Sequence, residues 1–74
     1  MNLMEMKNGS KAVIESLPTG EAALRLEALG LHIGKIIEKV SVMPFSGPVT
    51  VSLEGRHFAV SHGIAEQIKL KAEE

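Results

Sequence analysis

Cysteine, aspartate, tryptophan and tyrosine are all missing from these 74 residues, and two phenylalanines are the whole aromatic content. Without cysteine there is no disulfide and no zinc-ribbon site, which fits a reducing compartment. Aromatics at 3% leave little to build the stacking platforms that hold single-stranded nucleic acid. A dominant charge is lacking too. Lys+Arg is 8 and Asp+Glu is 9, for a formal net charge of -1. That balance argues against non-specific nucleic-acid binding, which rests on an excess of positive charge. No uncharged apolar run approaches the roughly 20 residues that span a bilayer. The start, Met1-Asn2-Leu3-Met4-Glu5-Met6-Lys7, does not place a basic region before an apolar one as a secretory signal does. The expectation is a cytoplasmic chain with no nucleic-acid partner and no direct membrane insertion.

Hydrophobic residues make up 45% of the chain, too many for a disordered segment. The length suits one domain over residues 1–74. A domain this small buries only about 60% of the surface its unfolded chain exposes, so modest stability is expected.

The pattern is mostly β. Asn8-Gly9 marks a turn after an opening segment whose Leu3, Met4 and Met6 can tuck against the domain. Residues 10–17 read as a strand, broken by Pro18-Thr19-Gly20. Residues 21–29 read as a helix, with Ala22, Leu26 and Leu29 as the buried stripe and Ala23 beside it. Glu21 suits the positive end of the helix dipole, and it can pair weakly with Arg25. Gly30 can take the left-handed conformation that ends helices, letting Leu31 fold back. Leu24 and Ala28 lie off the stripe. They either complete a wide buried face, the commoner outcome, or contact a partner.

After a turn at Gly34, residues 35–43 read as a strand of impure alternation, which a β-bulge would resolve. Pro44 and Pro48 bracket a loop carrying Phe45. Val49, Val51 and Leu53 alternate with Thr50 and Ser52, and Glu54-Gly55 makes a two-residue hairpin turn. Phe58 and Val60 point inward on the return strand. Residues 61–66 fit one 3₁₀ turn, residues 67–71 a closing strand, and residues 72–74 a frayed end. About five short strands and one helix after the first favour a small, partly closed barrel, because closure removes exposed edges.

Catalytic signals are scarce. There is no phosphate-binding glycine loop and no nucleophile-elbow context for the serines. Neither an enzyme nor a required cofactor is expected. His62 and Glu66, four apart, could share a helical face and bind a transition metal with His32 or His57. Histidines without a ligand role are commoner. The apolar residues Ile33, Met43 and Phe45 are better candidates. Phe45 either folds down as a lid on the barrel, the commoner outcome, or presents a contact patch with Met43 and Pro44. Small barrels often act by presenting such surfaces to peptides or domains. Self-association through an open strand edge is a further option.

The ordered set of motifs resembles the FeoA family, small cytoplasmic proteins of bacterial ferrous iron uptake. The likeness runs from Leu3 to Leu70. Leu3, Met6 and Gly9 match its leucine-rich opening and the glycine before the first strand. Arg25-Leu26-Glu27-Ala28-Leu29-Gly30-Leu31 matches its Leu-x-x-x-Gly-Leu helix end, and Ile33-Gly34 stands where the family has Pro-Gly. Pro44-Phe45-Ser46-Gly47-Pro48-Val49 fits its apolar loop, and Ala65-Glu66-Gln67-Ile68 its Ala-x-x-Ile ending. Ser61-His62-Gly63 stands where the family often has basic residues. The resemblance implies an SH3-like barrel without enzymatic activity. It implies a partner, the membrane iron transporter FeoB, through its cytoplasmic GTP-binding domain. On this reading the candidate contact residues are Leu24, Ala28, Met43, Pro44 and Phe45. The same barrel occurs in DtxR-like metal-dependent repressors, which keeps open a transition-metal-binding sensor or carrier.

Overall fold

Hydrogen bonding at the very start of the chain shapes its first turn. The computed structural model describes residues 1–72. The Glu5 N–H donates to Asn2 Oδ1 at 3.1 Å, and the Asn2 N–H donates to Glu5 Oε1 at 2.8 Å. This reciprocal cap holds a 3₁₀ turn over Leu3–Glu5 and drops Leu3 into the core.

Strand β1 (Lys11–Ser16) buries Ala12 and Ile14. Helix α1 (Glu21–Ala28) follows from Gly20. Its buried stripe is narrower than the sequence spacing suggests: Leu26 is buried, Ala22 and Ala23 are half-buried, and Leu29 is 38% exposed. The helix ending explains the difference. The Leu31 N–H donates to the Leu26 carbonyl and the Gly30 N–H to the Glu27 carbonyl, both at 2.9 Å, with Gly30 at a φ of 99°. This is a Schellman ending. It swings Leu31, fully buried, into the inward position that Leu29 was expected to fill.

Four strands complete the chain: β2 (Ile36–Val42), β3 (Val49–Leu53), β4 (Arg56–Val60) and β5 (Lys69–Ala72). All pairings are antiparallel in one sheet of order β4-β3-β2-β1-β5. The outer strands β4 and β5 do not pair with each other, so the SH3-like barrel stays open. The expected bulge lies in β2. Its partners in β3 shift by one between Lys39↔Val51 and Ser41↔Thr50. A second irregularity falls in β1 between Ile14 and Ser16, where it pairs with β5. Such bends curl a five-stranded sheet around its core.

Glu54 and Gly55, with φ of 50° and 82°, form the primed turn whose twist suits a two-residue hairpin, and Leu53 pairs with Arg56 across it. Lys35 Nζ donates to Glu54 Oε1 at 2.9 Å and ties this hairpin to the turn before β2. That bond and the Lys35 charge hold the Glu54 carboxyl below its ordinary value.

Two local readings are corrected. Residues 61–66 do not make a plain 3₁₀ turn. His62–Ala65 form a short helix α2, because the N–H groups of Ala65 and Glu66 reach the i−4 carbonyls of Ser61 and His62. Ala72, expected to fray, belongs to β5; residues 73–74, part of the same expectation, lie outside the described residues.

The least expected core residue is Lys39, 3% exposed. It sits on the inward face of β2, where its Nζ donates to the carbonyls of Met4 at 2.9 Å and Met6 at 2.8 Å. A buried ammonium is tolerable only with such partners. Burial still lowers its pKa from the ordinary lysine value.

Candidate functional site

The connection between β2 and β3 is a strained, hydrogen-bonded tip. The Met43 N–H donates to the Pro48 carbonyl at 3.0 Å, and the Gly47 N–H to the Pro44 carbonyl at 3.2 Å. Phe45 and Ser46 occupy the two central positions of this turn, at φ of 59° and 60°. Left-handed backbone costs an L-residue with a side chain roughly 1–2 kcal/mol. Asparagine and glycine are the usual occupants of such a turn. A side chain at Gly47 would meet Met43 Cβ at 2.6 Å, so the close approach across the loop base requires glycine.

Geometry aims Phe45 outward. It is 99% exposed, which corrects the expectation that it folds down as a lid on the barrel. A turn with two left-handed residues projects the ring away from the strands, and the prolines at 44 and 48 restrict the loop from closing over the core. Met43 is 56% exposed, Val42 is partly exposed beside it, and Pro44 is exposed. The expectation that Leu24 and Ala28 complete a buried face is also corrected. Leu24 is 69% exposed and Ala28 is exposed, because only the Leu26 side of α1 meets the core. Ile33 is likewise exposed in the turn before β2.

All five contact candidates therefore reach the surface. They form two patches, the 43–48 tip and the outer side of α1. No hydrogen bond or salt bridge joins the two among the described residues.

His62, which opens α2, and Glu66, which caps its end, do lie on one side of this turn. His62 Nε2 lies 3.9 Å from Glu66 Oε1, and His62 Nδ1 is buried with no hydrogen-bond partner. His32 and His57 are exposed elsewhere, and no cluster of three metal-ligating side chains occurs among the described residues. Two depressions mark the surface. One of about 210 Å³ lies between Lys11, Glu38, Ser52 and Glu54, and one of about 230 Å³ between α1, β4 and α2. Both fall below the roughly 300–1,000 Å³ of ordinary small-ligand sites. Among the described residues, no helix is long and apolar enough to cross a membrane.

Comparison with known proteins agrees with this architecture. The family model for the FeoA domain matches residues 1–72. No match was found among curated proteins. The solution structure of the FeoA protein from Chlorobium tepidum is 29% identical, with a TM-score of 0.87 over 97% of this chain and 70% of its own. FeoA from Stenotrophomonas maltophilia, solved with zinc and described as a prokaryotic SH3 domain protein, is 26% identical. Its TM-score is 0.80 over 96% of this chain and 89% of its own. The manganese-activated repressor ScaR in its apo form is 24% identical, with a TM-score of 0.85 over 99% of this chain and 35% of its own. That last likeness concerns the fold alone. With the open five-stranded barrel on one side and a family match over nearly its whole length on the other, this chain belongs to the FeoA domain family, an accessory family whose members point to ferrous iron transport.

Proposed function

We propose that this chain is a non-enzymatic, cytoplasmic accessory protein of ferrous iron uptake. It acts by contact with the GTP-binding domain of a FeoB-type transporter. The observation that carries this reading is Phe45, an aromatic ring held 99% exposed on a turn whose backbone disfavours it. Strain retained at an exposed apolar residue is a sign of function, because nothing in the fold itself gains from it. Aromatic anchors dominate binding energy at protein interfaces. Met43 and Pro44 flank the anchor, and Leu24 and Ala28 offer a second apolar patch.

Calorimetric titration of the chain into the transporter's GTP-binding domain tests this. Binding should weaken by about 30-fold or more in Phe45→Ala, the effect of an interface hot spot worth about 2 kcal/mol. Equal affinity of the two proteins would remove Phe45 from the interface.

One observation favours a second reading, a transition-metal site. His62 and Glu66 are paired at 3.9 Å, and a relative was solved with zinc. Two side chains supply only part of the three or four protein ligands zinc ordinarily takes. Titration with Fe(II), Mn(II) or Zn(II) distinguishes it: binding unchanged by His62→Ala would eliminate this site.

A further inference from the structure

The two edges of the sheet are treated differently. At the β5 edge, the Leu70 N–H donates to the Met1 carbonyl at 2.7 Å, the Leu3 N–H donates to the Ile68 carbonyl at 3.2 Å, and Asn2 bridges Lys69. The start of the chain thus covers that edge. The β4 edge has no such cover.

In a two-residue hairpin the residues flanking the turn exchange both hydrogen bonds, and alternate pairs repeat that pattern. Arg56, Phe58 and Val60 therefore spend their backbone groups on β3, while those of His57 and Ala59 face outward. Among the described residues, neither His57 nor Ala59 makes a backbone hydrogen bond outside the sheet.

Beside this edge lies the depression of about 230 Å³, walled by Arg25 and Leu26 of α1, Leu29 just past its end, Ala59 and Val60 of β4, and Ile64. Arg56 of the same strand donates from Nη2 to the carbonyl of Leu29, one of its lining residues, at 2.9 Å. A strand edge with free N–H and C=O groups facing an apolar groove under a helix is the geometry that receives an added strand. The five residues of β4 span about 17 Å, enough for an extended segment of similar length. Charge narrows the occupant. Arg25 lines the groove and no carboxylate does, and Arg56 stands beside it at Leu29, with the Glu54 carboxylate near enough to feel its charge. Glu21 holds Arg25 only loosely, at 4.0 Å with both side chains largely exposed.

We infer that the free β4 edge and the α1 groove seat an extended segment of a partner protein, one that carries both apolar and acidic side chains on the face it turns to the groove. Its backbone pairs with His57 and Ala59. Its apolar side chains enter between Leu29 and Ile64, and its carboxylates meet Arg25 and Arg56. This deepens the reading that the chain works by protein contact, and it names a surface apart from the Phe45 tip.

The test uses the full ¹⁵N-labelled chain and two synthetic octapeptides, one placing leucine and glutamate by turns at every second position with serine between, and one with lysine in place of glutamate. The acidic peptide should shift the amides of residues 57–61 and 25–29 and slow amide exchange at His57 and Ala59 at least tenfold at saturation. The lysine peptide should bind at least tenfold more weakly. Ala59→Pro removes an outward N–H without touching the β3 ladder, and it should abolish binding while the melting temperature confirms folding. Leu29→Glu, which places a carboxylate in the groove, should do the same and serves if the proline variant does not fold. The inference is overturned if the acidic peptide fails at millimolar concentration, if both peptides bind equally, or if a folded variant binds as the parent does. Concentration-dependent shifts of the same amides without peptide would give the edge to a second copy of this chain and also overturn it. Contact with the transporter domain is read separately by the Phe45→Ala calorimetry, so failure of either reading leaves the other standing on its own result.

Discussion

Replacing Phe45 by asparagine should make this protein more stable, although it deletes an aromatic ring. The ring is 99% exposed. If a phenylalanine can bury about 200 Å², the 1% it has buried is about 2 Å², worth about 0.05 kcal/mol of transfer free energy. Nothing measurable is lost with the ring. The backbone at this position has φ of 59°, which costs an ordinary L-residue roughly 1–2 kcal/mol and asparagine considerably less. The gain expected for Phe45→Asn is about 1 kcal/mol. For a chain of this size that raises the melting temperature by roughly 4–8 °C. Phe45→Ala keeps the unfavourable backbone and should fall within about 0.5 kcal/mol of the parent. Urea unfolding followed by circular dichroism checks both, and the midpoint should move with the slope unchanged. Destabilisation of either variant by the roughly 3–5 kcal/mol typical of a buried phenylalanine would refute the exposed tip and return Phe45 to the core.

Three other perturbations probe the frame that presents the tip. Gly47→Ala forces a Cβ to within 2.6 Å of Met43 Cβ and should cost about 1–3 kcal/mol, seen in the melting temperature, because overpacking at a loop base cannot relax cheaply. Lys39→Met leaves the carbonyls of Met4 and Met6 without their donor. It should cost about 2 kcal/mol, reduced by the relief of burying a charge, and should loosen the opening segment in amide exchange. Because Lys35 holds the Glu54 pKa down, the ion pair stabilises the fold above the unfolded carboxylate value, about 4.3, and the benefit is lost as pH falls through the lower folded value. Glu54→Gln should remove that component of the pH dependence in urea midpoints, whereas Glu27→Gln, at an exposed residue with no salt bridge among the described residues, should leave it.

Much of the barrel is legible in the sequence because local chemistry dictates it. Glu54-Gly55 between alternating strands specifies the hairpin, and Gly30 followed by Leu31 specifies the helix end. One failure comes from contacts distant in sequence, and the others from local backbone geometry. Lys39 falls in the impure alternation of residues 35–43, where nothing nearby in the chain announces its acceptors. They are the carbonyls of Met4 and Met6, more than thirty residues earlier. Leu29 has the right spacing for burial, yet the reversal at Gly30 puts Leu31 inward instead. Phe45 reads as a core lid because apolar residues usually are buried. Its exposure follows from backbone angles at 45 and 46 that the composition of the loop does not advertise. The groove beside β4 was invisible for a different reason. Alternation shows that His57 and Ala59 point away from the core, but only the strand order shows that their backbone groups lie on an uncovered edge.

The central claim, that this FeoA-domain protein works by presenting apolar surface to a transporter's GTP-binding domain, is tested most directly by an NMR titration. The labelled chain is titrated with that domain, with and without nucleotide. Shifts confined to residues 42–48, with or without the outer face of α1 and the β4 edge, are the expected result, and Phe45→Ala should suppress them. Absence of any shift at high concentration, or a shift pattern that bypasses all three surfaces, would contradict it.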